Sequence, residues 1–225
     1  MAEADPGDTQ SIAVRPNGPY VVNGSIPIYR RRAAYSEHGE PLTWETTSEL
    51  EGGPRYVLCR CGQSANKPYC DSTHRTIPFV ADDGARDSYD ERARVLGGTA
   101  ITVRDDRSIC VHAGFCGSRV TNVWKQVPHT SESAVRAQVI AMVERCPSGA
   151  LTYQLEEPRD VEPLLATAIA VVADGPLWVT GRVAIRNSDG AELERRNRVT
   201  LCRCGGSANK PLCDGSHKEN GFRDS

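Results

Sequence analysis

Apolar residues along the chain come in short runs, separated by Gly-Pro turns and acidic stretches, which is the pattern of a protein built mainly from short strands. Ile12-Ala13-Val14, the turn Asn17-Gly18-Pro19 and Tyr20-Val21-Val22 predict a β-hairpin, and Ile169-Ala170-Val171, Asp174-Gly175-Pro176 and Leu177-Trp178-Val179 predict a second one. Val57-Leu58 and Val199-Thr200-Leu201 read as the ends of later strands, each running into a cysteine-rich loop. Between the hairpins the period changes. Ile101–Arg104 and Leu151–Tyr153 read as strands, and Ser131–Arg145 reads as a helix with Val135, Val139, Met142 and Val143 on one face. Ser131 or Ser133 is its expected cap and Cys146-Pro147 its end. Two polar stretches are expected to be linkers. One covers 80–98, with Asp82-Asp83-Gly84 and Gly97-Gly98 as breakers and room for a short helix within Ser88–Leu96; the other covers 157–167, next to Glu156-Glu157-Pro158.

These two hairpins open two copies of one repeat. Residues 58–74 read LCRCGQSANKPYCDSTH and 201–217 read LCRCGGSANKPLCDGSH, differing only at 63, 69, 72 and 73 of the first copy. The copies are offset by 157 at the hairpins but by 143 at the cysteines, so the first carries 14 extra residues in between. The organisation expected from this is a tail over 1–11, a first unit over 12–79, a central module over 99–156 and a second unit over 168–225.

Composition narrows the function. A formal net charge of −2 over 225 residues lacks the basic excess of a nucleic-acid binder. No run approaches the roughly 20 apolar residues needed to span a bilayer. The acidic start Met1–Asp8 has no apolar core of a secretory signal, so a cytoplasmic location is expected, and the arginine-rich, lysine-poor composition hints at a bacterial source. In a reducing compartment nine cysteines read as metal ligands before disulfides. They form three groups: Cys59, Cys61 and Cys70; Cys110, Cys116 and Cys146; Cys202, Cys204 and Cys213. In each repeat the spacing is Cys-x-Cys-x8-Cys-x3-His, ending at His74 or His217. Structural zinc also takes three cysteines and one histidine, but its knuckles space the first pair more widely. Histidine is also a known ligand of iron–sulfur clusters. Spacing leaves both metals open, with iron–sulfur favoured.

The fuller pattern Cys-x-Cys-x2-Ser-x3-Pro-x-Cys-Asp-Gly-Ser-His resembles the CDGSH iron–sulfur proteins. Residues 202–217 fit it throughout, and 59–74 depart at Ser72, where the family has glycine. If that position requires positive φ, serine there carries strain of about 1 kcal/mol. The resemblance implies a [2Fe–2S] cluster per repeat. Cys59 with Cys61, and Cys202 with Cys204, would hold one iron; Cys70 with His74, and Cys213 with His217, would hold the other. It also implies that the two units pack as an intramolecular pseudo-dimer. Asp71 and Asp214 are candidates to cap a short helix beside the cluster, ended in the second copy by Gly221. Lys67 and Lys210, at one motif position, are candidates to place an ammonium near the histidine. A histidine ligand can couple electron gain to proton uptake, and its protonation releases the metal.

Cys110-x5-Cys116 with the distant Cys146-Pro147 resembles a divergent single-cluster ferredoxin domain, with Ala113 where bacterial ferredoxins carry a central cysteine. Three cysteines suit a [3Fe–4S] cluster; a [4Fe–4S] cluster needs a fourth ligand, and His112 is the nearest candidate. The whole chain thus reads as α+β, with two β-rich CDGSH units around a ferredoxin-like module. Its expected role is electron transfer with redox partner proteins, not enzymatic turnover. Cluster donation to apo acceptors, redox or pH sensing, a zinc-stabilised interaction module and an oxidoreductase accessory stand as alternatives.

Overall fold

The computed structural model describes residues 10–83, 87–155 and 160–224. The expected tail up to residue 9, the breaker Gly84 and the Glu156-Glu157-Pro158 stretch lie outside the described residues. The first copy contributes strands β1 (Ser11–Val14), β2 (Tyr20–Asn23), β3 (Ile28–Tyr35), β4 (Pro41–Leu50) and β5 (Arg55–Leu58). The middle of the chain holds helix α1 (Tyr89–Arg92), strands β6 (Arg94–Gly97) and β7 (Thr102–Asp105), helices α2 (Val123–Gln126) and α3 (Ser133–Glu144), and strands β8 (Leu151–Gln154) and β9 (Asp160–Val161). The second copy adds β10 (Ala168–Val172), β11 (Leu177–Thr180), β12 (Ala184–Arg186) and β13 (Arg198–Leu201).

Each copy of the repeat lends a strand to the other. One sheet runs β12-β1-β2-β5 and the other β13-β11-β10-β3-β4. The exchanged strands pair in parallel, β1 with β12 and β10 with β3, while every other pairing in these two sheets is antiparallel. β3 and β12 occupy equivalent places in the two copies, so the exchange is reciprocal. Both units close over one apolar core in which Ile12, Tyr20, Val22, Ile28 and Leu58 pack with Ile169, Val171, Leu177, Val179 and Leu201. Burying one continuous core across the pair is what joins the repeats, because an isolated three-stranded unit has too little apolar area to stand alone.

The 14-residue surplus of the first copy lengthens the β3–β4 hairpin into an arm. In the second copy only a single bridge, Arg186 to Glu192, follows the corresponding strand. The arm reaches the middle module: Trp44 stacks on Phe115 at 5.0 Å and donates from its indole N–H to the Arg145 carbonyl at 3.2 Å.

The middle module has its own core of Ile101, Val103, Val123, Val127, Val139, Met142, Val143, Leu151 and Tyr153. Helix α3 buries Val139, Met142 and Val143 as their spacing predicts, but neither Ser131 nor Ser133 caps it. The cap residue is Glu132, and the Ser131 N–H instead donates to the Thr99 hydroxyl at 2.8 Å. Both stretches expected as linkers contribute a strand to this module's sheet, whose order is β6-β7-β8-β9. Ser88 caps α1 through a reciprocal capping box with Glu91.

Candidate metal centres

Strand β5 delivers Cys59 and strand β13 delivers Cys202, each into a loop that folds back on the strand end. The Cys59 N–H donates to the Pro68 carbonyl at 2.8 Å and the Cys70 N–H to the Val57 carbonyl at 3.0 Å. The same two bonds recur as Cys202 to Pro211 and Cys213 to Thr200. Inside the loop the aspartate acts as a staple. Asp71 accepts from the Thr73 amide and hydroxyl with one oxygen and from the Ala65 amide with the other; Asp214 does the same with Ser216 and Ala208. The hydrogen bonds from Thr73 hold the Asp71 carboxyl well below the usual carboxylate range. Burial works against Asp214, but the Ser216 hydroxyl and amide outweigh it and its carboxyl also lies low. The expected capping by these aspartates therefore takes the form of a brace across the whole loop, closing onto single 3-10 turns at Thr73–Arg75 and Ser216–Lys218. The second turn is capped at Glu219, ahead of Gly221.

The ligands gather in pairs. Cys59 and Cys61 sulfurs stand 3.8 Å apart, as do those of Cys202 and Cys204. Cys70 Sγ lies 3.5 Å from His74 Nδ1, and Cys213 Sγ lies 3.4 Å from His217 Nδ1. Two thiolates on one tetrahedral metal with bonds of about 2.3 Å stand about 3.8 Å apart, and a thiolate–imidazole pair slightly closer. The residues present thus fit two metal positions per loop, and Nδ1 is the imidazole atom presented to the second. Among the described residues no three such side chains close into one single-ion shell.

Backbone amides are aimed at the sulfurs. The Ser72 N–H meets Cys70 Sγ and the Gly206 N–H meets Cys204 Sγ, both at 3.4 Å. Each Cys-x-Cys pair shares a proton between its thiols, so the pair releases one proton readily and holds the other firmly. Burial raises the Cys213 thiol to about 12 and lowers His217 to about 4. The lowered histidine is neutral near pH 7, the form in which an imidazole can bind a metal.

At the departure from the motif, Ser72 sits at φ 74°, ψ 6°, and its counterpart Gly215 at φ 93°, ψ −5°. The position does require the left-handed region. Ser72→Gly is therefore expected to stabilise the protein by about 0.5–1 kcal/mol, read as a raised midpoint in denaturant unfolding. An unchanged or lowered midpoint would show that the strain is absorbed elsewhere.

Two pairs of residues escaped the sequence reading. Arg60 and Arg203, each between the first two cysteines of its loop, are only 1% exposed. Arg203 pairs with Asp224 at 2.7 Å, donates to the Gly175 and Val172 carbonyls, and lies over the Phe222 ring. Arg60 pairs with Asp83 and donates to the Arg15 carbonyl at 3.3 Å. Asp83, read as part of a linker breaker, is thus a buried counterion. The signal was the arginine repeated in both Cys-Arg-Cys triplets. Lys67 and Lys210 are not the cations beside the histidines: Arg75 presses on His74 and Lys218 on His217, while Lys210 Nζ donates to the Ser207 carbonyl at 2.5 Å.

In the middle module Cys110, Cys116 and Cys146 line one cavity of about 240 Å³, walled by Phe115, Trp124 and Leu151 among others. Burial raises Cys110, and takes Cys116 to about 11. A donor set of three soft thiolates around a largely apolar hollow fits a cubane-type cluster. Arg198 organises its rim. Completely buried, it donates to the Val143, Glu144, Cys146 and Leu151 carbonyls and pairs with Glu162 at 2.9 Å, so the start of β13 holds the end of α3 and the Cys146 turn in place. His112 takes φ 53°, and a Cβ built on Gly215 would stand 2.6 Å from its ring. The imidazole lies at the boundary between this cavity and the second repeat's loop.

The family model described as iron-binding zinc finger, CDGSH type, matches residues 17–75 and 174–218. The model described as divergent 4Fe-4S mono-cluster matches residues 96–156. The chain carries two CDGSH-type iron-binding regions with a divergent mono-cluster ferredoxin region between them, and it is an iron–sulfur-binding protein. No curated protein matches the chain. No helix among the described residues is long and apolar enough to cross a membrane.

Proposed function

We propose that the protein is an electron carrier holding two [2Fe–2S] clusters and one cubane-type cluster. The observation that carries this reading is the adjacency of the sites. The two CDGSH loops meet back to back: a Cβ on Gly62 would stand 2.6 Å from the Cys204 carbonyl oxygen, and one on Gly205 would stand 2.5 Å from that of Cys61. The second loop in turn meets the middle site, where Gly215 faces His112 and Cys110. Three redox-capable sites in contact make a relay, whereas three structural metals have no need to touch. When bound, the clusters supply reversible one-electron chemistry. The protein's part is to fix their ligands, aim amides at the sulfurs and exclude water from the second loop.

Cys59, Cys61, Cys70 and His74 would hold the first [2Fe–2S] cluster, and Cys202, Cys204, Cys213 and His217 the second. Cys110, Cys116 and Cys146 would hold the third, three-iron cluster or four-iron cluster according to whether His112 supplies a fourth ligand. The ligand pairing in each CDGSH loop supports two irons over one zinc. Partners on this reading are redox proteins in a reducing compartment such as the cytoplasm, and the protein itself performs no turnover. The alternative of cluster donation predicts that iron and sulfide leave together for an apo acceptor. The test mixes reduced holo-protein with an oxidised ferredoxin and, separately, with an apo ferredoxin. Electron exchange with retained iron supports the carrier; transfer of iron and sulfide without electron exchange overturns it.

Replacing His74 or His217 by cysteine is expected to keep the cluster and lower its potential, because thiolate is the more electron-rich ligand. Spectroelectrochemistry on each single variant reads the shift. Loss of the cluster in both variants would mean that the loops do not bind as described.

A further inference from the structure

The two CDGSH sites, nearly identical in sequence, have different surroundings. His217 is 6% exposed, and Cys213 beside it is 1% exposed. The middle module and the β3–β4 arm wall this end of the second loop, leaving the nearly buried His217 at the back of a concavity of about 770 Å³ whose lining includes Val111, Ala113 and Pro147 of the module and Trp44 of the arm. His112 packs on Gly215, the Lys218 ammonium donates to the His112 carbonyl, and Asn209 donates to the Ser108 carbonyl at 2.8 Å. At the first loop nothing equivalent among the described residues covers His74, and both it and Cys70 retain part of their surface. They open onto a concavity of about 780 Å³.

Its electrostatics also differ from those of the second site. Among the described residues the first concavity is lined by Arg15 and Arg75, both exposed, and by no carboxylate; Asp71, next to Ser72, is the acidic group whose field reaches His74. Neither arginine's side chain forms an ion pair with another described residue. Lys218, the counterpart of Arg75, is engaged with the module, and Asp174, the counterpart of Asn17, puts a carboxylate beside the second site. Val80, 77% exposed, follows Phe79 at the edge of the first concavity. Exposed cations around an accessible apolar patch are the makings of a transient interface, since charge steers the encounter and the apolar patch holds it.

We propose that the face around His74, with Arg15, Arg75 and Phe79, is the docking surface for a redox protein with an acidic face, and that the middle module leaves His217 less accessible than His74. The first site is then the port to partners and the second an internal contact to the middle site. This rests on the electron-carrier reading above and gives its partner a place and a charge.

The test is calorimetric titration of the holo-protein with an acidic plant-type ferredoxin, at low and at high salt. The wild type is compared with an Arg15→Glu/Arg75→Glu variant and an Arg32→Glu/Arg223→Glu variant, the latter bordering the second site. Visible spectra beforehand verify that the clusters are intact. The expected result is binding that weakens about tenfold or more on adding salt or on reversing Arg15 and Arg75, and changes less than twofold on reversing Arg32 and Arg223. Equal weakening by both variants, a larger effect of the second, or no binding by a fully coloured wild type would overturn the docking surface while leaving the carrier reading intact. A wild type without cluster absorption would overturn the carrier reading itself.

Discussion

Replacing Arg203 by alanine is expected to destabilise the protein by about 2–3 kcal/mol and to strip the second CDGSH site of most of its iron. The cost arises because Asp224, 8% exposed, keeps Arg30 on one oxygen at 2.8 Å but loses the guanidinium that faces its other oxygen at 2.7 Å. The Gly175 and Val172 carbonyls lose their donor as well. The guanidinium sits between Cys202 and Cys204 in sequence and ties their loop to the hairpin turn at 172–175, so losing it frees the cluster loop at its first two ligands. Arg203→Lys should recover only part of this, since an ammonium cannot reach both carbonyls and the carboxylate in one plane. Denaturant unfolding and iron per chain read the two effects. A loss under about 1 kcal/mol with full iron would show that the loop closes without the arginine.

Gly205→Ala is expected to disturb both CDGSH sites through a single methyl. The glycine sits at φ 77°, and the added carbon would stand 2.5 Å from the Cys61 carbonyl oxygen of the other copy. Left-handed strain of about 1 kcal/mol adds to an overpacking cost of roughly 1–3 kcal/mol, because the clash is with backbone that cannot step aside. Gly190→Ala is the control: it has φ 91° but nothing within 4 Å, so it should cost only the strain. If the two variants lose equal stability and the first site's spectrum stays unchanged in Gly205→Ala, the cluster loops do not abut as described.

Much of this architecture was legible before any coordinates. The repeated Cys-x-Cys-x8-Cys-x3-His loops, their hairpins and the α3 periodicity are local patterns, set by turn chemistry and by which side of a short element must be apolar. What escaped is non-local. The exchange of β3 and β12 between copies depends on two strands more than 130 residues apart pairing in parallel, and no local pattern in Ile28–Tyr35 distinguishes that partner from a neighbour in its own copy. Asp83 looked like a turn residue because its polarity is the same whether it faces water or Arg60. Arg198 carries no local signal of its role, because its four carbonyl acceptors come together only when α3, the Cys146 turn and the start of β8 meet. The lysines shared by the motif drew attention by identity, yet Arg75 and Lys218 stand by the histidines because they directly follow them on the 3-10 turns. The unequal covering of His74 and His217 is a property of the whole assembly, produced by the middle module and absent from the repeat itself.

The central claim is that these loops hold iron–sulfur clusters, three in all. Metal and acid-labile sulfide analysis of anaerobically purified protein, with its visible spectrum, tests it most directly. The account predicts about seven or eight irons per chain with matching sulfide and a coloured protein, the eighth iron being lost in His112→Ala if that residue is a ligand. A colourless protein carrying about two zinc ions per chain would contradict it.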